Sequence, residues 1–279
     1  MKFTITLSLI ACFSGVMVMG QDLVRYQQID STNLFLEVYQ PDSMVEGESY
    51  PAIIFFFGGG WKGGDRHHFL NHAKYFAKRG LVCFLADYRT WNKHQVPPFE
   101  CLKDAKSAIR YIRSAAEEFQ IDPNKVIASG GSAGGHLAAA TALVSGFNHQ
   151  NDDLSISCIP NALVLFNPVI DNGPGVYGYE RVSDAYHEFS PLHNIRAGAP
   201  PTIFFLGTKD ALIPVTTAEY YQQVMKKVGS RCDLKLYPEA GHGFFNYRNL
   251  EHYRQTLMEA DDFLISLGYL NTNPPVNIE

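Results

Sequence analysis

Clusters of basic side chains are missing from this sequence of 279 residues, whose formal net charge is −5. No basic run is longer than Lys226-Lys227, and charged residues make up only 18% of the chain. A surface that follows a phosphate backbone needs such clusters, so we expect no nucleic-acid partner. Histidine and carboxylate residues also lack the spacings of metal sites, so we expect neither a metal nor a cofactor.

Long apolar runs are missing beyond residue 20, so we expect no integral membrane span in the mature chain. Before that point, Lys2 precedes an apolar run over 3–19, and a polar stretch follows Gly20. This pattern is typical of a cleaved secretory signal. We therefore predict a signal peptide over 1–20, one domain over 21–279, and a secreted or periplasmic protein. A lipid anchor at Cys12 is the alternative, disfavoured because apolar residues rather than a polar tether follow that cysteine.

Cysteine is sparse for a chain of this length. The four cysteines beyond the leader are Cys83, Cys101, Cys158 and Cys232. An exported protein can pair them, and four cysteines allow three connectivities. Cys83 lies within an apolar strand pattern, which favours free buried thiols, but the sequence alone leaves the pairing open.

Apolar residues are abundant, 46% of the total, and they form alternating strand and helix patterns. Strands are predicted over 33–41, 52–57, 81–88, 125–131, 162–171, 201–210 and 233–241. Helices are predicted over 67–80, 99–119, 134–146, 217–229 and 250–268. Such alternation is typical of a mainly parallel sheet flanked by helices. The segment 172–200 has little apolar periodicity, and a lid over a site would have to come from it.

Residues 130–134 read Gly-Gly-Ser-Ala-Gly, a G-x-S-x-G pattern. The pentapeptide alone is weak, but a strand pattern precedes it and a helix pattern follows, which is the context that a nucleophile turn requires. Glycines at 130 and 134 remove Cβ atoms that would clash in so sharp a turn. Ser132 is therefore the candidate nucleophile, at a helix N-terminus whose dipole favours negative charge.

A serine hydroxyl becomes a nucleophile when a base takes its proton, and we expect that base to be a histidine held by a carboxylate. Asp210 and His242 each follow a predicted strand, in the chain order serine, aspartate, histidine, at the sheet edge where sites form. Asp171, which ends the preceding strand, remains the alternative carboxylate. His136 is a poorer acceptor, because it lies along the helix that follows the serine.

The segment PAIIFFFGGGWKGGD over 51–65 begins with the pattern of a buried strand and ends in a loop rich in glycine. Each glycine there costs conformational entropy, about 0.5–1 kcal/mol relative to alanine. Such a loop lets main-chain N–H groups approach the oxygen that becomes negative when a serine attacks a carbonyl. We therefore predict an oxyanion hole formed by Gly59, Gly60 and Ala133.

Together these segments resemble the α/β-hydrolases of the esterase and lipase group, which includes hormone-sensitive-lipase-like enzymes and acetyl xylan and feruloyl esterases. The matching segments are FFFGGGW (55–61), ADYR (86–89), DAKSAIRYIR (104–113), IDPNKVIASGGSAGGHLAA (121–139), GTKDALIPV (207–215) and YPEAGHGF (237–244). The resemblance implies an α/β-hydrolase fold, with a mainly parallel sheet flanked by helices and a small cap or none. It also implies Ser132 as nucleophile, His242 as general base and acid, and Asp210 as the residue that orients the histidine.

The family often has a histidine before the three glycines, whereas this chain has Phe57, which has to hold the loop by packing. We expect an open cleft rimmed by aromatic side chains, with Trp61 and Tyr177 as substrate contacts. The further aromatic candidates for this rim are Trp91, Tyr179, Tyr186 and Phe189.

These features predict a secreted serine esterase that hydrolyses carboxylic esters, on small molecules or on polysaccharide, through an acyl-enzyme on Ser132. Acetyl or feruloyl groups on polysaccharide are the expected acyl groups. A lipase or general carboxylesterase, or an exopeptidase of the same fold, remains an alternative. A binding module that keeps the fold without activity is the alternative from a different class.

Overall fold

Eight strands form one sheet across residues 22–272, which are the residues that this computed structural model describes. The strands are β1 (Asp22–Ile29), β2 (Thr32–Tyr39), β3 (Tyr50–Phe56), β4 (Val82–Ala86), β5 (Ile121–Gly131), β6 (Ala162–Phe166), β7 (Thr202–Gly207) and β8 (Cys232–Tyr237). Their order across the sheet is β1-β2-β4-β3-β5-β6-β7-β8. Strand β2 pairs antiparallel with β1 and β4, and all other neighbours pair parallel. The mainly parallel sheet predicted from the sequence is confirmed.

Helices cover both faces of this sheet. The α-helices are α1 (Leu70–Lys78), α2 (Trp91–His94), α3 (Pro98–Ser114), α4 (Ala133–Leu143), α5 (Tyr179–Val182), α6 (Tyr186–Phe189), α7 (Val215–Lys227) and α8 (Leu250–Ser266). The 3-10 turns are Arg66–Phe69, Ser183–Ala185 and Pro191–Asn194. Helices α3, α4 and α7 contribute to one apolar core, and α1 and α8 contribute to a second core on the opposite face. These layers confirm the predicted α/β-hydrolase architecture.

Strands in the middle of the sheet are buried on both faces, which explains their continuous apolar sequences. Every residue of β4, β6 and β7 is buried. Strand β1, at the edge of the sheet, has no counterpart among the predicted strands. Only Tyr26 of its residues is buried, so its sequence carries little apolar signal.

Local chemistry sets the ends of the helices. Helix α1 ends at Lys78, shortly before Gly80, whose φ of +103° is a left-handed conformation that glycine adopts without strain. The helix predicted from residue 67 begins instead as a 3-10 turn, capped by the Asp65 side chain, which accepts a hydrogen bond from the His67 N–H. The helix predicted over 99–119 ends earlier, at Ser114.

All four cysteines of the described residues carry free thiols. Cys83, Cys101 and Cys158 are buried, and Cys232 is half-buried. None of the helices within 22–272 is long and apolar enough to cross a bilayer. The signal peptide predicted over 1–20, which includes Cys12, lies outside the described residues.

His72 on α1 is a buried histidine, and neither of its ring nitrogens has a hydrogen-bond partner within the described part of the chain. The rings of Phe69, Phe166, Phe245 and Tyr253 pack around it. Burial lowers the pKa of its imidazole from 6.5 to about 3. The folded chain therefore keeps this ring neutral at acidic pH values at which the unfolded chain binds a proton.

We expect His72→Leu to reduce the loss of stability in acid. The unfolded histidine binds a proton as the pH falls through 6.5, whereas the folded ring stays neutral down to about pH 3. This one residue should therefore lower the wild-type free energy of unfolding by about 2 kcal/mol between pH 7 and pH 5. Urea denaturation at both pH values measures the change, and the packing cost of the substitution cancels in the difference. His149→Leu, at a half-exposed position, is the control; an unaltered pH slope in H72L would contradict this account.

Candidate active site

The predicted site residues meet at one edge of the sheet, because β3, β5, β7 and β8 run in the same direction. Gly59 and Gly60 follow β3, and Ser132 follows β5. Asp210 follows β7, and His242 lies in the loop after β8. Parallel strands end at a common edge, so residues far apart in the sequence become neighbours there.

Ser132 sits on a sharp turn between β5 and α4, with φ +56° and ψ −120°. Its N–H donates to the Phe166 carbonyl oxygen over 3.0 Å. A Cβ atom on Gly130 would overlap the backbone of Gly134, and one on Gly134 would overlap the carbonyl oxygen of Phe56. Only glycine fits at both positions, which explains the spacing of the motif.

His242 stands between Ser132 and Asp210. Its Nε2 lies 2.9 Å from Ser132 Oγ, and its Nδ1 lies 2.8 Å from Asp210 Oδ2. An ionised carboxylate only accepts hydrogen bonds, so in the neutral ring Nδ1 carries the proton. Nε2 then has a free lone pair and accepts from the serine hydroxyl, which is the arrangement that a general base requires.

The Asp210 carboxylate is fixed from its other side as well. Its Oδ1 accepts hydrogen bonds from the N–H groups of Leu212, over 2.8 Å, and Ile213, over 3.0 Å. The Asp210 side chain has 0% exposure, while that of His242 is 26% exposed. The carboxylate is therefore shielded from water, and the imidazole remains open to a substrate.

The alternative residues weighed in the sequence have other partners. Asp171 lies 3.3 Å from His193 rather than beside His242. His136 is fully buried, and its Nε2 lies 3.1 Å from the carbonyl oxygen of Phe189. Burial lowers the pKa of His136 to about 3, so it stays neutral within the core.

The glycine loop, residues 57–64, turns tightly after β3. Gly59 and Gly60 have φ values of +133° and +61°, and the N–H groups of Lys62 and Gly63 donate to the Gly59 carbonyl oxygen. The N–H groups of Gly59 and Gly60 donate to no acceptor within residues 22–272. The N–H of Ala133, the first residue of α4, has no intrahelical acceptor. Three backbone donors are thus available beside the serine.

Ser132 and His242 open into a pocket of about 260 Å³. The glycine loop forms one part of its wall, and Tyr177, Leu212 and Phe245 form others. This volume lies below the range of about 300–1,000 Å³ that is usual for drug-sized ligands. The pocket therefore suits a small group next to the serine.

Only Tyr177 of the two predicted aromatic contacts lines this pocket. Trp61 is 1% exposed and packs among the rings of His136, Tyr177 and Phe189, so it does not line the pocket beside Ser132. Burial of so large an apolar ring is favourable, and the segment 172–200 supplies the partners that bury it. Phe189 is fully buried too, whereas Trp91 is 49% exposed in a neighbouring depression.

The segment 172–200 packs directly onto the glycine loop. Arg181 on α5 donates from Nη1 to the Gly60 carbonyl oxygen over 2.6 Å, and its guanidinium lies 5.1 Å from the Tyr177 ring centroid. The Asn172 side chain donates to the Tyr177 carbonyl oxygen. In this conformation the segment forms part of the pocket wall and acts as a small cap.

Two further residues at the site have no counterpart among the predictions. Asn167 directly follows β6, and its Nδ2 lies 3.3 and 3.2 Å from Nδ1 and Nε2 of His242. The sequence could have identified Asn167 as a site residue, because it follows a strand, as Asp210 does. His68 lines the pocket from the turn after the glycine loop, and only its closeness to the glycines in sequence hints at this.

Comparison with known proteins agrees with this fold. The BD-FAE family model matches residues 36–173, and that of the Dienelactone hydrolase family matches residues 169–261. One similar solved structure is that of a Thermogutta terrifontis esterase, Est2, with propionate bound. Its sequence is 42% identical to this chain, and the two structures superpose with a TM-score of 0.86. That match covers 91% of this chain and 97% of the esterase chain. The protein is an α/β-hydrolase, and it belongs to the esterase family within that fold.

Curated relatives match at lower identity. The acetylxylan esterase of Xylanibacter ruminicola is 27% identical over 240 residues, covering 80% of this chain and 47% of that protein. Esterase LipC of Mycobacterium tuberculosis is 27% identical over 226 residues, covering 70% of this chain and 53% of that protein. The chain therefore spans about half the length of these curated relatives.

Proposed function

We propose that this protein is a serine esterase that hydrolyses carboxylic esters through an acyl-enzyme on Ser132. The observation that carries the proposal is the hydrogen-bonded chain from Asp210 through His242 to Ser132, next to free backbone N–H donors. Nucleophile, base and orienting carboxylate are in mutual reach, which is the geometric test for this type of catalysis.

In the first half of the proposed reaction, Ser132 Oγ attacks the ester carbonyl carbon while its proton passes to His242 Nε2. The carbonyl oxygen becomes negative and accepts hydrogen bonds from the N–H groups of Gly59, Gly60 and Ala133. The protonated imidazole then gives its proton to the leaving alcohol oxygen as the carbon–oxygen bond breaks. The alcohol departs, and the acyl group remains on the serine.

In the second half, water takes the place of the alcohol. His242 Nε2 removes a proton from that water, which attacks the acyl carbon, and the same donors stabilise the second oxyanion. The proton returns to Ser132 Oγ as the acyl bond breaks and the carboxylic acid leaves. Asp210 stabilises the imidazolium in both halves without taking its proton.

We propose acetyl or feruloyl groups on polysaccharide as the substrates. The pocket of about 260 Å³ favours a short acyl group such as acetyl. The resemblance to an acetylxylan esterase supports the polysaccharide carrier. A general esterase for short acyl chains is the second candidate, since the 42% identical esterase was solved with propionate bound.

We also propose export of the protein, with a signal peptide over 1–20 followed by one catalytic domain over 21–279. The charged start, apolar middle and polar continuation of the leader support this. N-terminal sequencing of the exported chain should find a start near Gln21. A chain that keeps residues 1–20 after export, or that stays in the cytoplasm, would contradict the proposal.

Replacing Ser132 by alanine should abolish hydrolysis of p-nitrophenyl acetate, with a loss of kcat of about 10⁶-fold, because no other group forms the acyl-enzyme. A fluorophosphonate probe should label the wild type and leave the variant unlabelled. The matched control is Ser129→Ala, on the same strand, whose hydroxyl donates to the Val164 carbonyl oxygen. Labelled S132A, or an S129A variant as inactive as S132A, would refute the assignment.

A panel of esters should separate the substrate classes. We expect kcat/KM for p-nitrophenyl acetate to exceed that for the decanoate by about 10-fold or more, because the pocket of about 260 Å³ is open and would leave part of a flexible ten-carbon chain in contact with water. Release of acetate from acetylated xylan, and of ferulate from feruloylated arabinoxylan, then tests the carrier. A preference for long chains at an interface would mean a lipase, and activity on simple esters alone would favour the general esterase.

A further inference from the structure

His68 links the glycine loop to the loop that carries His242. The Gly58 N–H donates to His68 Nδ1 over 3.0 Å, and His68 Nε2 lies 2.6 Å from Asn246 Oδ1. Asn246 Nδ2 in turn donates to the Gly243 carbonyl oxygen over 2.7 Å. This chain of hydrogen bonds runs from the end of β3 to the residue next to His242, and its central bond spans 178 sequence positions.

These partners fix the protonation of the ring. A backbone N–H only donates, so His68 Nδ1 must accept, and the single proton of the neutral imidazole is on Nε2. Asn246 donates through Nδ2 to Gly243, which leaves its Oδ1 to accept from His68. Every donor in the chain therefore meets one acceptor, and the neutral ring is the only form that satisfies both contacts.

Phe57, the residue before the first glycine, is held by contacts that do not involve His68. Phe57 stacks on Tyr88, with ring centroids 3.9 Å apart, and the Tyr88 hydroxyl donates to the Phe57 carbonyl oxygen over 2.7 Å. That packing anchors the residue before the first glycine. A phenylalanine has no acceptor for the Gly58 N–H, so the first glycine peptide depends on His68.

We propose that neutral His68 is a positioning residue, which holds the glycine loop in register with the loop of His242. It supplies from position 68 the hydrogen-bonding brace that Phe57 cannot provide. It acts through Gly58 and Asn246, and it takes no proton from the substrate. The inference rests on the proposed function, because the loop is held in place for the oxyanion.

Protonation would break the brace, since a second proton on Nδ1 would face the Gly58 N–H, donor against donor. Burial against Phe69 and Phe245 lowers the pKa of His68 and so opposes that protonation. The titratable side chains near His68 include His72 on α1 and His242 across the pocket, and its own turn carries Asp65, Arg66 and His67. His242 also loses its function as a base when protonated, so the test has to separate the two rings.

Two substitutions of His68 make that separation. His68→Phe keeps a ring against Phe245 but removes both nitrogens, whereas His68→Asn keeps an acceptor near the Nδ1 position and does not titrate. With p-nitrophenyl acetate we expect kcat to fall about 10- to 100-fold in H68F, with KM within about 2-fold of wild type. H68N should keep most of kcat, because its side-chain oxygen can still accept from the Gly58 N–H. His67→Phe, at the neighbouring position outside the pocket, is the matched control and should leave kcat unchanged.

Amide hydrogen exchange gives a readout that does not need turnover. Peptides that contain residues 57–64 should exchange faster in H68F than in wild type, and H68N should resemble wild type. If H68F does not fold, His68→Leu also removes the acceptor for the Gly58 N–H, within a smaller side chain, and should give the same two effects. Exchange in H68F that matches wild type would overturn the inference, whatever the activity.

The kinetic outcomes are equally decisive. Unchanged kcat in H68F, or equal losses in H68F and H68N, would overturn the role of the acceptor nitrogen. A loss confined to KM would mean that His68 contacts the substrate instead of positioning the loop. If the wild type hydrolyses no ester but exchange still differs between H68F and H68N, the proposed function fails and the brace stands.

Discussion

The site depends on one close contact between backbones, in which Gly134 at the start of α4 meets the carbonyl oxygen of Phe56 at the end of β3. This contact sets how closely the start of α4, which follows the serine, approaches the end of β3, which leads into the glycine loop. A side chain at Gly134 would push α4 away from β3, and a side chain at Gly130 would push α4 away from β5. Because both strands lie in the buried centre of the sheet, the surrounding core resists such a shift. The placement of the proposed oxyanion donors is therefore a property of the main chain.

The same constraint explains the backbone strain at the serine. A non-glycine residue in a sparsely populated region such as that of Ser132 costs about 1–3 kcal/mol. The hydrogen bond of its N–H to Phe166, and the bond of its carbonyl oxygen with the His136 N–H, hold it there. Rigid donors at fixed positions need no rearrangement when charge develops, which is where preorganised sites gain their effect. The turn therefore costs local stability and fixes the position of Ser132, the proposed nucleophile.

What the sequence could predict about this site follows from which interactions are local. The sequence could predict Ser132, Asp210 and His242 because each of them follows a strand, and parallel strands bring their ends together. The burial of Trp61 depends on how 172–200 folds back over it, which no local pattern encodes. The hydrogen bond between His68 and Asn246 joins residues 178 positions apart, and no periodic pattern in the sequence indicates it. Edge strand β1 was missed because it buries almost nothing.

Two imidazoles face one pocket, and their partners give them opposite tautomers. His242 Nδ1 faces the Asp210 carboxylate, an acceptor, so its Nε2 keeps a lone pair for the serine. His68 Nδ1 faces the Gly58 N–H, a donor, so its Nε2 carries a proton that Asn246 accepts. The single free lone pair of the His68 ring accepts from Gly58 and its other nitrogen carries the proton, so neither nitrogen competes for the serine proton. The pocket holds two histidines, yet only His242 presents a basic nitrogen to the serine.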